Sequence, residues 1–288
     1  MNVILAAGGP TDVLARAVAS GMSDQLGQPV IVDNKPGAGG GIASAVTAKA
    51  KPDGYTLLMT VNTAHTLLPY IQKGLGYDPV KDFTPISIIG TTYNVIVVNK
   101  DFPAQDFKGL IELAKAKPES VSVAVFGIGG RYASARLAAA TGVKFLEIPY
   151  KGGAQGTQAL MSGEVNMFYD GAGLVDTRVK SGMYRAIAVL SKTRSPVLPD
   201  VPAVGEYIPG FEVPLWFGVV APAGLPEKVK ERLHKALIAS LDTPKVKAAA
   251  AALGLEMVGN TPAEFAKRIR EEAKATPDLV RRYKITID

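Results

Sequence analysis

Short apolar runs rich in β-branched residues alternate with amphipathic stretches along the whole chain, and glycine-rich loops join many of them. The first such joint is Ala6-Ala7-Gly8-Gly9-Pro10-Thr11-Asp12, which follows the strand stub Val3 to Leu5. Apolar residues then recur at Val13, Leu14, Ala17, Val18, Gly21, Met22 and Leu26, the 3.6-residue period of a helix with one buried face. Strands are predicted over 30–32, 56–60, 85–89, 95–99, 121–125, 144–148, 165–168, 186–189 and 217–221. Helices are predicted over 11–26, 42–50, 107–116, 131–141, 153–162, 226–242 and 262–275. Strand and helix in strict alternation argue for an α/β fold with mostly parallel sheets flanked by helices.

The first loop reads in two ways. Glycines let a ligand approach the backbone, and Pro10 with Thr11 suits a helix start, whose unpaired N–H groups and positive dipole end favour an anion. The alternative is an ordinary turn that needs glycine for its geometry. A second strand-loop-helix of the same kind runs from Val123 through Phe126-Gly127-Ile128-Gly129-Gly130-Arg131-Tyr132. Two cradles suggest a small anion gripped from both sides. Asn34-Lys35-Pro36-Gly37-Ala38-Gly39-Gly40-Gly41 lacks the Gly-Lys-Ser/Thr ending of a phosphate-binding P-loop, so a nucleotide is excluded there.

Composition removes other classes. The chain has no cysteine, so disulfides, thiolate zinc sites and cysteine nucleophiles are absent. Its two histidines cannot build a typical metal cluster, and neither a metal nor a cofactor is expected. No Gly-x-Ser-x-Gly elbow occurs, and no histidine stands beside a plausible nucleophile. The net charge of +6 is scattered and interleaved with acids, which speaks against nucleic acid. No run of about 18 apolar residues is present, and no signal peptide is visible ahead of the first strand.

Several phrases, in order and spacing, resemble the solute-binding proteins of tripartite tricarboxylate transporters, the Bug receptors. They are Gly8-Gly9-Pro10-Thr11-Asp12 with Ala15-Arg16, Asn34-Lys35-Pro36-Gly37-Ala38-Gly39-Gly40, and Pro52-Asp53-Gly54-Tyr55-Thr56-Leu57-Leu58. Tyr77-Asp78-Pro79-Val80-Lys81-Asp82-Phe83-Thr84-Pro85-Ile86, Pro149-Tyr150-Lys151-Gly152-Gly153, Leu198-Pro199-Asp200-Val201-Pro202 and Trp216-Phe217-Gly218 with Ala221-Pro222-Ala223-Gly224 complete the match. The resemblance implies a two-lobed periplasmic-binding-protein-like (type II) fold with two hinge crossings. Residues 1–97 and 216–288 would form one lobe and residues 98–215 the other.

It also implies a monomer in the periplasm that closes on a small carboxylate (a di- or tricarboxylate or an aromatic acid), performs no chemistry on it, and hands it to membrane permease subunits. The alternatives are a receptor that presents its ligand to a sensor partner, and an α/β enzyme acting on a carboxylated substrate. The ligand residues carried over are Ala7, Gly8, Gly9, Pro10, Thr11 and Asp12 in the first cradle, and Thr60, Asn62, Thr63 and His65 after the third strand. Gly129, Gly130, Arg131 and Tyr132 follow in the second cradle, with Asp170 near the ligand's far end.

Some of these residues have a second reading. Arg131 either pairs with a second carboxylate or is a surface residue, and Tyr132 stacks on a ring or donates its hydroxyl. His65 either meets the ligand or makes a structural hydrogen bond, and Asp170 either orients a ligand group or caps the following turn. Trp216 is expected to pack a core rather than line a cleft. Glu271 and Glu272 are expected on a solvated helix face with Lys267 and Lys274.

Overall fold

The structure, a computed structural model, describes residues 1–283 and 285, without the side chains of Pro10, Arg282 and Tyr283. The chain divides into two compact units, Met1–Thr91 with Leu215–Asp288, and Thr92–Pro214. Unit 1 opens with β1 (Asn2–Val3), α1 (Pro10–Leu26), β2 (Asp33–Asn34), α2 (Gly41–Ala48), β3 (Leu58–Val61), α3 (Leu68–Ile71) and the first part of β4 (Phe83–Val98). Unit 2 takes the rest of β4, then α4 (Phe107–Ala116), β5 (Ser122–Val125), α5 (Gly127–Thr141), β6 (Leu146–Pro149), α6 (Gly153–Ser162), β7 (Met167–Gly171), α7 (Ala172–Lys180) and β8 (Arg185–Val189). The chain returns to unit 1 along β9 (Pro214–Pro222), followed by α8 (Glu227–Leu241), α9 (Pro244–Ala252), β10 (Glu256–Met257) and α10 (Pro262–Tyr283).

In unit 1 the strand order is β2-β1-β3-β9-β4, with β10 also on β4. β1 pairs with β2 and β3 in parallel, while β9 runs antiparallel to β3 and β10 antiparallel to β4. The apolar stripe of α1, including Leu14, Ala15, Val18 and Met22, is buried in the core, and α1 packs on α8 and α9. The approach is close at Gly21, where a Cβ would stand 2.7 Å from Ser240 Cβ. Any larger residue there would push α1 off α8.

Unit 2 has the order β8-β4-β7-β5-β6. β5 is parallel to β6 and β7, and β4 is antiparallel to β7 and β8. Alternation along β4 builds a core on each face of this sheet, because successive strand side chains point to opposite sides. Ile96 and Val98 pack with Phe107, Leu110 and Ala114 of α4 and Ala133 and Leu137 of α5. Val95 and Val97 pack with Ala159 and Leu160 of α6 and Ala172 and Val175 of α7.

The sheets are thus mixed. Parallel pairing holds for the strands that open strand-helix units, and β4, β8, β9 and β10 run antiparallel to their neighbours. The predicted strands 85–89 and 95–99 are one continuous strand, and its central Gly90 to Asn94 have no apolar run to announce them. Among the described residues no helix is long and apolar enough to cross a membrane.

Candidate functional site

In unit 1 the loop after β1 delivers the chain to α1, whose N-cap is Gly9, with Pro10 as its first residue and no side-chain cap. Ala7 and Gly8 are exposed, Gly9 is half-buried and Thr11 is buried. Gly8 has φ +86° with open space where a Cβ would be, a left-handed conformation that favours glycine. The side chain of Pro10 lies outside the described residues.

Asp12 holds this loop in place. Gly8 N–H (3.0 Å) and Arg16 Nε (2.9 Å) donate to its Oδ2, and Asn34 Nδ2 donates to its Oδ1 (2.8 Å). Asn34 Nδ2 also donates to Leu5 O (3.0 Å), and Arg16 Nη2 donates to Asn34 Oδ1 (3.0 Å). The Arg16 hydrogen bond, assisted by those from Gly8 and Asn34, lowers the Asp12 pKa to about 2. Asp12 is therefore ionised, buried and engaged inside the loop, which makes it a positioning residue. The (i, i+4) spacing of Arg16 from Asp12 is the local sequence signal for this pair. Asn34 reaches the loop across the sheet and left no such local signal.

β3 lies beside β1 in parallel register, Val3 opposite Met59, so the turn after β3 starts at the same sheet edge as the first cradle. Thr60 is buried in the strand, Asn62 is buried, and Thr63 is half-buried at the start of a π-helical turn, Thr63–Leu67. His65 goes elsewhere. It is fully buried, its Nε2 donates to Pro79 O (3.1 Å), and its ring meets Phe83 and Trp216 edge-on at centroid distances of 4.8 and 6.2 Å. Burial pushes its pKa down to about 4, so the imidazole is neutral and structural.

The next turn adds a correction. Glu272 is not part of a solvated face: it accepts from Thr66 Oγ1 (2.7 Å), Trp216 Nε1 (2.9 Å) and Arg268 Nε (2.6 Å). Trp216 is fully buried and packs edge-on against Phe265 at 5.0 Å, as a core residue.

In unit 2, α5 begins at Gly127 rather than at Arg131, so Gly129, Gly130, Arg131 and Tyr132 stand within its first two turns rather than in a loop. Glycine is a poor helix former, which made Gly127-Ile128-Gly129-Gly130 look like a loop; packing after β5 overrides that propensity. Gly129, Gly130, Arg131 and Tyr132 are all half-buried, and Tyr132 packs against the unit's core. Asp170, at the end of β7, accepts from Gly171 N–H (2.9 Å) through Oδ1 and from Arg178 Nη1 (2.6 Å) and the Tyr184 hydroxyl through Oδ2. Its oxygens anchor the β7–α7 joint. Burial first, and the hydrogen bond to Asp170 second, raise the Tyr184 pKa, so that hydroxyl stays a donor.

The profile of the family described as tripartite tricarboxylate transporter family receptor matches residues 14–285. Among solved structures, the chain is similar to the periplasmic binding protein BugD, with 36% identity and a TM-score of 0.82 over 99% of this chain and 97% of that one. It is similar to Rpa4515 of R. palustris with adipate, at 29% identity and a TM-score of 0.84 over 99% and 97% of the two chains. MatC (Rpa3494) of Rhodopseudomonas palustris, with bound malate, gives 30% identity and a TM-score of 0.81 over 97% and 98%. A match of this extent, on a fold with these two glycine-started helices, shows that the chain belongs to the tripartite tricarboxylate transporter family of periplasmic receptors, which bind solutes and are not enzymes.

Proposed function

We propose that this chain captures a small carboxylate in the periplasm, as a monomer, and delivers it to the membrane subunits of a tripartite tricarboxylate transporter. The observation that carries the reading is the first cradle: a glycine loop held open by an internally neutralised aspartate at the positive end of the 17-residue helix α1. An acid left facing the loop would repel an anion. With Asp12 paired to Arg16 and Asn34, the backbone donors at the start of α1 favour one. Two of the similar structures hold malate and adipate, both dicarboxylates, which supports this ligand class.

Ala7, Gly9, Pro10, Thr11, Asn62 and Thr63 are the proposed ligand residues of unit 1. Gly129, Gly130, Arg131 and Tyr132 are those of unit 2, with Arg131 taking a second carboxylate through a bidentate pair. Gly8, Asp12, Thr60, His65 and Asp170 support them.

A thermal-shift screen against mono-, di- and tricarboxylates and amino acids, after removal of any copurified ligand, tests the reading. Ligand at a hundredfold excess over Kd stabilises by about 2.7 kcal/mol, a rise of roughly 4–5 °C for a protein of this size. Arg131→Ala should then weaken a dicarboxylate far more than the matching monocarboxylate. A flat screen refutes the receptor reading; equal losses in Arg131→Ala remove Arg131 from the second-carboxylate role.

A further inference from the structure

The residue that starts α5 does nothing for the helix end. Ser, Thr, Asp or Asn at an N-cap takes up one of the open N–H groups. Here the position is Phe126, which makes no cap and is 37% exposed. One side of its ring is firmly seated. The ring lies 6.0 Å from that of Phe168, with 33° between planes, and crosses the start of α6 so closely that a Cβ on Gly153 would stand 3.4 Å from Phe126 Cζ. Phe168 is buried and itself depends on Gly156, where a Cβ would come within 2.8 Å of its ring. Two glycines of α6 thus make the seat for an aromatic pair whose outer member stays open to solvent.

The setting of that open ring is the carboxyl edge of three parallel strands. Val125 pairs with Pro149 and Ala124 with Phe168, so the first residues after β5 and β6 lie side by side, next to the end of β7. Gly127 opens α5, Gly153 opens α6 and Gly171 is the N-cap of α7; a Cβ at Gly127 or Gly171 would meet nothing within 4 Å. Leu174 of α7 is also exposed. An apolar ring face therefore stands beside bare backbone at the positive ends of helices, which complements a molecule with a flat apolar body and a carboxylate at its edge.

We propose that Phe126 is a specificity residue that makes this receptor prefer aromatic carboxylates over short hydroxylated aliphatic ones. The proposal rests on the receptor reading above. A ligand ring covering Phe126 removes apolar surface from water and gains an offset-stacked contact, whereas malate presents hydroxyl and carboxylate groups to the same surface and gains neither.

The experiment is titration calorimetry on the full chain with ring acids paired to aliphatic acids of equal carboxylate number, benzoate against lactate and phthalate against malate. Wild type is expected to bind the ring acid of each pair at least tenfold more tightly. Phe126→Ser, which supplies a capping hydroxyl and so protects the helix start, should lose about tenfold for the ring acids and less than twofold for the aliphatic ones. Phe126→Leu should fall between. Tighter binding of the aliphatic acids by wild type, or equal losses for both classes in Phe126→Ser, overturns the proposal. Binding of aliphatic acids alone leaves the receptor reading standing and removes the aromatic preference; binding of no carboxylate at all refutes both.

Discussion

His65 should make the protein lose stability between neutral pH and pH 4, and replacing it should remove that loss. Its folded-state pKa is held at about 4 by burial, against 6.5 in an unfolded chain. As pH falls below 6.5 the unfolded state binds a proton that the folded state refuses, so stability is full above 6.5, declines steadily, and has lost this contribution by about pH 4. At 1.36 kcal/mol per pH unit the loss is about 2 kcal/mol by pH 5 and about 3 kcal/mol by pH 4. Urea unfolding followed by circular dichroism at pH 7, 5 and 4, for wild type and His65→Gln, measures it. Gln keeps an N–H donor near Pro79 O but does not titrate. Carboxylates titrate in both proteins, so the difference between the two curves isolates the histidine. The variant should be less stable at pH 7, through lost ring contacts with Phe83 and Trp216, and the gap should shrink or reverse by pH 4. Parallel curves would refute the reasoning, and would mean that His65 protonates in place.

Three other perturbations test the cradle and its supports. Gly9→Val should abolish binding of whichever carboxylate shifts the wild type, with a melting temperature within about 3 °C, because Gly9 has φ −80° and its Cβ would meet nothing nearer than Ala6 O at 3.8 Å; unchanged affinity by calorimetry would remove the first cradle from the site. Asp12→Ala should cost about 1 kcal/mol at pH 7, after allowing for solvent around the exposed Arg16, and weaken binding by freeing the loop. That stability cost is present above pH 3.8 and fades as the wild-type carboxylate protonates towards pH 2, which acid unfolding of both proteins reads directly. Glu272→Ala should cost about 2 kcal/mol and shift the emission of Trp216, the single tryptophan, by removing the acceptor of its indole N–H; an unchanged spectrum would show that the bond is not kept in solution.

Where pattern and packing agree, the sequence already announces the element. α4 and α6 run over the residues their apolar periods predict, and α4 is capped by Asp106, whose Oδ1 accepts from Gly109 N–H (2.8 Å). Other elements depend on partners distant in the chain. β2 forms at Asp33–Asn34 rather than over the apolar 30–32, since pairing with Asn2 and Val3 of β1 selects it. α7 was hidden by Gly171-Ala172-Gly173, which reads as a turn. α9 had a legible signal that the apolar period overlooked: Thr243 caps Val246 N–H ahead of Pro244.

The site divides in the same manner. The place of the first cradle is local information, carried by glycines followed by an amphipathic helix. The role of Asp12 is not, because Asn34 comes from the next strand. The burial of His65 is set by Phe83 and Trp216, and the capture of Glu272 by Thr66 and Trp216, all distant in sequence.

The insertion of residues 92–214 into unit 1 imposes an order on biosynthesis. β3 is buried along its whole length and takes β9 as its antiparallel partner, Leu58 opposite Val220, while α1 needs α8 to cover its apolar stripe. Both partners leave the ribosome only after all of unit 2. At about 5–20 residues per second, unit 2 alone accounts for roughly 6 to 25 s of that delay. During that interval β3 is an open apolar edge that can pair with another nascent chain. A ribosome paused at residue 214 holds every strand of unit 2 and only half of unit 1, so the wait for β9 is the step at which a holding chaperone would matter most.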